Sequence, residues 1–395
     1  MLIKTCFLSK IIPEIYILSN SIVLIDPFEG GHHSYYATIL ASGLSSIGWD
    51  VYLIGSSNLI NNVKNKCKIK GDAVISIPSK DINEYDKYNY LYRTMNIALS
   101  FKSDIIHILT LDRMIIALFL VLLRYPKITN LYATLHWGEI IISDKKLANI
   151  NIKKIILRYL LKRLVANKMS LIMHSKTLVM KMDKVLGKVG YAPYPHNIES
   201  FDFGCNNKVN RNLICKNIPD NAIVLLCFGA TRRDKRSDVA VKVLSKLSKN
   251  YYLLIVGSED DITKAELINI AKKYNVSDRL ILYLSFVSEK DLISYFHASD
   301  ALFLPYKKSF CGQSGPLVLA ASLNIPVVAS PALVIKETIE MYDIGVVAKD
   351  DDEENLYNAI CELFADGKKK YHNDEFIKMY SADYFVAQVI KFYNI

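Results

Sequence analysis

The sequence predicts an α/β fold in two similar halves, each a parallel sheet with helices on both faces. Short apolar runs alternate with helical patterns along most of the chain, and this repeated strand-then-helix spacing builds parallel sheets covered on both sides. At 395 residues the chain is too long for one core of ordinary size, so two or three domains are expected. Ala192-Pro-Tyr-Pro-His-Asn197 supplies a short stiff connector, because proline fixes the backbone and discourages helix. The expected division is 1–195, 196–372 and a closing helical segment, 373–395. With 51% apolar residues and only 16 glycines and 11 prolines, there is little room for disorder.

In the first half, Ser21 to Asp26 reads as a strand, followed by the loop Pro27 to His33 with Gly30 and Gly31, a helix over 34–47, and a strand over Val51 to Gly55. This is a Rossmann-like opening. The loop lacks Gly-x-Gly-x-x-Gly, so no dinucleotide cofactor is indicated. Further strands are expected at 73–77, 104–109, 130–135 and 171–174, with Met114 to Leu123 as a buried helix. Polar residues collect at the strand ends, among them His107, Thr110, Thr134, His136 and His174. Beyond a polar stretch at 198–220, strands are expected at 223–228, 252–256, 280–284, 301–304, 327–330 and 345–347, and helix over 373–393.

The densest chemistry lies at Phe228-Gly-Ala-Thr-Arg-Arg-Asp-Lys235. A buried strand ends in a glycine turn, and Arg232 and Lys235 follow where a helix begins. Two cations beside a helix N-terminus match a phosphate, although an exposed basic turn reads the same way. A second strand, Asp300 to Pro305, leads into a loop with Cys311, Gly312, Gln313, Ser314 and Gly315, then an apolar helix. Two such units turn their loops to the same carboxyl edge of a parallel sheet.

The order Phe-Gly-x-x-Arg-x-x-Lys, Leu-Leu-Ile-Val-Gly (253–257), Ala-Ser-Asp-Ala-Leu-Phe-Leu-Pro (298–305) and Ala-Ala-Ser-Leu-Asn-Ile-Pro-Val-Val-Ala-Ser (320–330) resembles the donor domain of retaining GT-B glycosyltransferases of the family 4 type. The resemblance implies two Rossmann-like domains facing across a cleft, and retaining transfer of a sugar from a nucleotide diphosphate to a glycan or lipid-linked acceptor. Surface polysaccharide or lipopolysaccharide synthesis is the setting it implies. Arg232 and Lys235 would grip the diphosphate, Gly229 and the Gly312, Ser314 and Gly315 segment would approach it, and Gly30 and Gly31 match the family's amino-terminal glycine loop. His136, in Thr134-Leu-His136-Trp137-Gly138-Glu139, matches a strand-end histidine that faces the donor sugar; a strand-end histidine satisfied by backbone is the other reading. Glu139 and Glu337 rank lower. The family's two signature glutamates fall on Cys311 and Leu319, neither of which accepts a charge-assisted hydrogen bond. The family group needs no metal or other cofactor.

Seven scattered cysteines without a Cys-x-x-Cys pair argue against both a disulfide framework and a zinc site. The net charge of +10 is uneven: residues 1–200 hold 25 Lys and Arg against 14 Asp and Glu, whereas 201–395 hold 24 against 25. Part of the surplus lies at 151–168, where Lys154, Arg158 and Lys162 recur every four residues. That helix either lies on an anionic membrane surface or faces the core with one solvated basic stripe. No nucleic-acid motif accompanies the charge. A cytoplasmic protein is expected, peripheral to the inner face of a membrane if the first option holds. Two rivals remain: a non-catalytic partner in a polysaccharide pathway, and a nucleotide-sugar epimerase using Asp26, Glu29 and Asp112.

Overall fold

The computed structural model describes residues 21–28, 33–75, 77, 83–141, 152–167, 169–186, 188–196, 218–219, 221–367 and 371–393. The chain divides into two compact units, one running to Pro195 and including the segment from Met379 on, the other from His196 to Lys378.

The first unit alternates strand and helix: β1 (Ser21–Ile25), α1 (His33–Ser46), β2 (Asp50–Gly55), α2 (Ser57–Lys64), β3 (Gly71–Val74), α3 (Glu84–Ser100), β4 (Ile105–Ile108), α4 (Ile115–Arg124), β5 (Leu131–Leu135), α5 (Ile152–Asn167), β6 (Met169–Met173), α6 (Lys176–Leu186) and β7 (Val189–Tyr191). All pairings are parallel, in the order β3-β2-β1-β4-β5-β6-β7. The central strands are buried on both faces, which is why Ile22 to Ile25 and Ile105 to Ile108 carry hardly a polar side chain.

The second unit continues with β8 (Ile223–Phe228), α7 (Ser237–Lys246), β9 (Tyr251–Val256), α8 (Lys264–Lys273), β10 (Leu280–Tyr283), α9 (Glu289–His297), β11 (Ala301–Leu304), α10 (Gly315–Ser322), β12 (Val327–Ala329), α11 (Leu333–Tyr342), β13 (Gly345–Val347), α12 (Glu353–Leu363) and α13 (Asp374–Met379). Its strands lie parallel in the order β10-β9-β8-β11-β12-β13. One core cluster joins Leu253, Ile255 and Phe303 from the sheet to Val241, Leu244, Leu356 and Ile360 from helices.

The chain closes with α14 (Ala382–Tyr393), which belongs to the first unit. The single helix expected over 373–393 is therefore two. Ser381 starts the second, its hydroxyl accepting from the Tyr384 amide at 3.2 Å as an N-cap does. Helix α14 packs on α1, where Gly43 leaves room for the Val386 side chain, and Gly190 on β7 does the same for the Phe392 ring. Strand β7 has no counterpart among the expected strands, and β3 begins two residues earlier than expected.

Helix α4 departs from the expected buried helix, and α5 departs from one of its two expected readings, the one with a solvated basic stripe. Helix α4 buries Ile115, Leu118 and Val121 but leaves Leu120 and Leu123 exposed. On α5 the expected solvated basic stripe is half-buried at Lys154, Arg158 and Lys162, while Ile152, Ile155, Ile156 and Tyr159 face out. Neighbouring backbone explains part of this, since Arg158 Nε donates to the Ile140 carbonyl at 2.8 Å.

Candidate active site

In the second unit the strand order reverses between β8 and β11, the position in an open parallel sheet where ligands bind beyond the carboxyl ends. Strand β8 delivers Gly229, whose φ of +112° is closed to ordinary side chains. A Cβ there would collide with the Lys235 ammonium, and a Cβ at Gly257 would collide with the Gly229 backbone. Two glycines back to back thus press the loop against the end of β9, with the Gly229 amide donating to the Val256 carbonyl at 2.8 Å. Thr231 pins the loop further. Its hydroxyl donates to the Ile262 carbonyl at 2.6 Å and accepts from the Asp260 amide at 2.9 Å.

The loop's four cations differ in their partners. Arg232 grips Asp234 with two hydrogen bonds, at 2.9 and 2.7 Å. Arg233 points outward onto Glu266, and Arg236 takes the left-handed conformation with Asp351 at 3.2 Å. Lys235 makes no ion pair among the described residues. Its mostly buried ammonium lies beside Gly229, 5.8 Å from the Tyr306 ring centroid. Burial first, and the Arg232 charge second, pull its pKa down to about 8.

Lys235, Gly229, Ser237, Pro305 and Tyr306 line a small cavity at this strand crossing. The loops after β8 and β11 meet there, the Lys307 amide donating to the Asp234 carbonyl at 2.8 Å. Two hydroxyls are buried there: Ser237, in the first turn of α7, without a hydrogen-bond partner among the described residues, and Tyr306, whose side-chain hydrogen-bonding neighbour is Ser314. Sequence reasoning missed both. The signals were a serine opening the helix after the basic turn and a tyrosine directly after the Leu304-Pro305 strand end.

Ser314 caps α10, its hydroxyl accepting from the Leu317 amide at 3.4 Å. A side chain added at Gly315 would meet nothing, so space lies open above this helix start. Gly312 is buried in the same loop. Cys311 is buried and its thiol turns to the Ser309 carbonyl at 3.0 Å, while Leu319 is buried on α10. At both positions the side chain packs into the fold. Glu337 lies half-buried on α11.

In the first unit the strand order reverses between β1 and β4. Asp26, at the end of β1, is buried and accepts from the Phe28 amide at 3.2 Å, with His33 at the same distance. Thr110 lies 3.3 Å from His33. Asp112 accepts the His136 and Trp137 amides at 3.1 and 2.6 Å, and burial pushes its pKa up to about 6. His136 is nearly covered. Its Nε2 pairs with the Leu109 carbonyl at 2.9 Å and its ring packs against Tyr36 and His174. Glu139 is exposed on the short turn that follows. Glu29, Gly30 and Gly31 lie outside the described residues. Burial holds His107 and His174 neutral, with pKa values pulled down to about 3 and about 4. His107 bridges Thr134 at 2.9 Å and the Tyr393 hydroxyl at 2.5 Å, tying α14 to the sheet.

A larger cavity of about 410 Å³ lies by Asp104, Arg124, Tyr125 and Asn130, away from the polar strand ends. No group of three or more His, Cys, Asp or Glu among the described residues could hold a metal ion.

Residues 212–378 match a model of the family described as Glycosyl transferases group 1. No curated protein sequence matches the chain. Among solved structures, the chain is similar to a glycosyltransferase from Rickettsia africae ESF-5, at 16% identity and TM-score 0.70 over 95% of this chain and 98% of that one. It is also similar to Anabaena Alr3699/HepE in complex with UDP and glucose, at 12% identity and TM-score 0.69 over 94% and 98%. A third, WaaG, a glycosyltransferase involved in lipopolysaccharide biosynthesis, aligns at 14% identity and TM-score 0.61 over 93% and 94%. The second unit thus carries a glycosyl transferases group 1 domain, and the two Rossmann-like units have the fold of GT-B glycosyltransferases.

Proposed function

We propose that the chain transfers a sugar from a nucleotide diphosphate sugar to a glycan or lipid-linked acceptor, with retention at the anomeric carbon, in the synthesis of a surface polysaccharide or lipopolysaccharide. The observation that carries this reading is Lys235: a mostly buried ammonium without an ion pair among the described residues, at the strand crossing of the group 1 domain. A cation held in that state is ready for an anion that the fold itself does not supply.

In the proposed reaction the acceptor oxygen bonds to the anomeric carbon as the bond to the diphosphate oxygen breaks, and the acceptor proton passes to the departing phosphate. Charge grows on the leaving oxygen. Lys235, the first-turn amides of α10 beyond Ser314, and the Ser237 and Tyr306 hydroxyls are fixed donors for it. Arg232 joins them by exchanging Asp234 for phosphate oxygens. Gly229 supplies the close backbone approach. His136 serves as a sugar-positioning residue, its ring fixed by Leu109, and Gly30 and Gly31 keep the phosphate-side role implied by the family resemblance. The structures of Alr3699/HepE with UDP and with UDP-glucose support a nucleotide-sugar donor. WaaG and the outer core galactosyltransferase WaaB support a lipopolysaccharide-type setting. The scheme uses no metal or other cofactor.

Buried Cys311 and Leu319, where two carboxylates are expected, favour a second reading in which the chain binds a donor or partner without turnover. A calorimetric and turnover panel of uridine, guanosine, adenosine and cytidine diphosphate sugars separates the two. Saturable binding and consumption of one donor, both lost in the Arg232→Ala, Lys235→Ala double variant, are expected. Binding without consumption, with every acceptor offered, selects the second reading, and no binding of any donor overturns the first.

A further inference from the structure

Helix α5 reads Ile-Lys-Lys-Ile-Ile-Leu-Arg-Tyr-Leu-Leu-Lys-Arg-Leu-Val-Ala-Asn and holds five cations and no acidic residue. Leu161, Leu164 and Val165 anchor it in the unit. Its outward face is apolar: Ile152 is 70% exposed, Ile155 52%, Ile156 48% and Tyr159 60%. These positions recur at i, i+3, i+4 and i+7, so they form one continuous stripe along the helix. Lys153 and Arg163 are exposed on the same helix, and half-buried Arg158 and Lys162 lie along one side of the stripe, whereas Lys154 falls on the opposite side of the helix. Neighbouring α4 adds Leu123, 65% exposed, and Leu120. An ordered apolar stripe of this kind on a soluble unit marks a surface that another phase or partner covers.

We propose that this face of α5 docks on an anionic lipid bilayer, with the isoleucines and Tyr159 entering the headgroup boundary and the flanking cations meeting the lipid charges. Charge complementarity selects the occupant. The helix carries five cations and no acidic residue, and the first 200 residues carry a surplus of 11 positive charges. A second copy of the chain would bring two such faces together against strong repulsion, whereas an anionic surface attracts each cation by about 1 kcal/mol. The helix lies on the surface: no described helix is long and apolar enough to cross a membrane. This inference is independent of the transferase reading.

The test is flotation of the full chain with vesicles of phosphatidylcholine containing about a third phosphatidylglycerol, beside vesicles of phosphatidylcholine alone. Expected is binding to the anionic vesicles only, weakened at least about tenfold both by Ile155→Glu with Ile156→Glu and by salt near 0.5 M. The exposed positions leave folding untouched, which circular dichroism and thermal melting of the double variant verify. Absence of binding, equal binding to both vesicle types, or binding that the double variant retains overturns the proposal. So does light scattering that shows a dimer which the double variant converts to monomers, because a second copy would then cover the face.

Discussion

Lys235 gives a prediction with a proton count. In the free protein its pKa is about 8, drawn down by burial and by Arg232. A diphosphate placed against the ammonium restores the charged form to its ordinary range near 10.5 or above. Binding must therefore take up protons wherever the free lysine is partly neutral. The uptake is about 0.1 proton per ligand at pH about 7, about 0.5 near pH 8 and about 0.9 near pH 9. Apparent affinity should fall about tenfold per unit above pH about 8. Calorimetric titration with UDP in two buffers of different ionisation enthalpy reads the count directly, and Lys235→Met should reduce it to nearly zero. The same residue makes a stability claim. Its folded pKa lies below its unfolded value, so the unfolded chain holds more protons between pH about 8 and about 10.5, and stability rises with pH across that window. At neutral pH the buried charge costs on the order of 2–3 kcal/mol, after allowance for its partial exposure. Lys235→Met should be more stable at pH about 7 by up to that amount, with the gain fading toward pH about 10. An uptake that stays below about 0.1 at pH about 9, or is unchanged in Lys235→Met, refutes the assignment of the site's anion grip to this residue.

Gly229→Ala forces a side chain into a positive-φ position and against the Lys235 ammonium; a loss of about 1–3 kcal/mol in urea unfolding is expected, together with loss of UDP binding. His107 and His174 are buried neutral with pKa values of about 3 and 4, so the unfolded state gains protons first as pH falls below about 6.5. Each removes about 1.4 kcal/mol of stability per pH unit down to its folded pKa, while Asp112, raised to about 6, offsets one of them between pH about 6 and 4. Asp112→Asn should therefore steepen the acid loss of stability in that window, measured by urea melts at successive pH values. Gly43→Val removes the space that Val386 occupies and should detach α14, seen as faster tryptic cleavage at Lys378 and Lys391 with β8 to β13 still protected.

The two parallel sheets were legible because their central strands are short unbroken apolar runs bounded by turns, as at Ile22 to Ile25 and Leu302 to Leu304. Strand β7 was not, since Val-Gly-Tyr has too few apolar residues to stand out and gains its place from β6 and Phe392. The break at Ser381 was hidden because a serine cap resembles an exposed helical position until its hydroxyl is seen on Tyr384. Periodicity left two readings of α5 open, because both faces hold isoleucine or leucine and only the neighbouring elements decide which is covered. At the candidate site the sequence exposed Arg232 and Lys235 as a pair. Their division, one cation neutralised by Asp234 and the other without an ion pair among the described residues, depends on a turn geometry that spacing alone does not carry. Ser237 and Tyr306 come together only through the parallel crossing of β8 and β11.

The loop at 229–235 is braced by Gly257, Ser258, Asp260 and Ile262. The segment at 309–319 hangs instead from β11 and α10. The two loops at this sheet edge are thereby mounted on separate supports. A substitution at 311–319 therefore leaves the bonds that brace the 229–235 loop untouched.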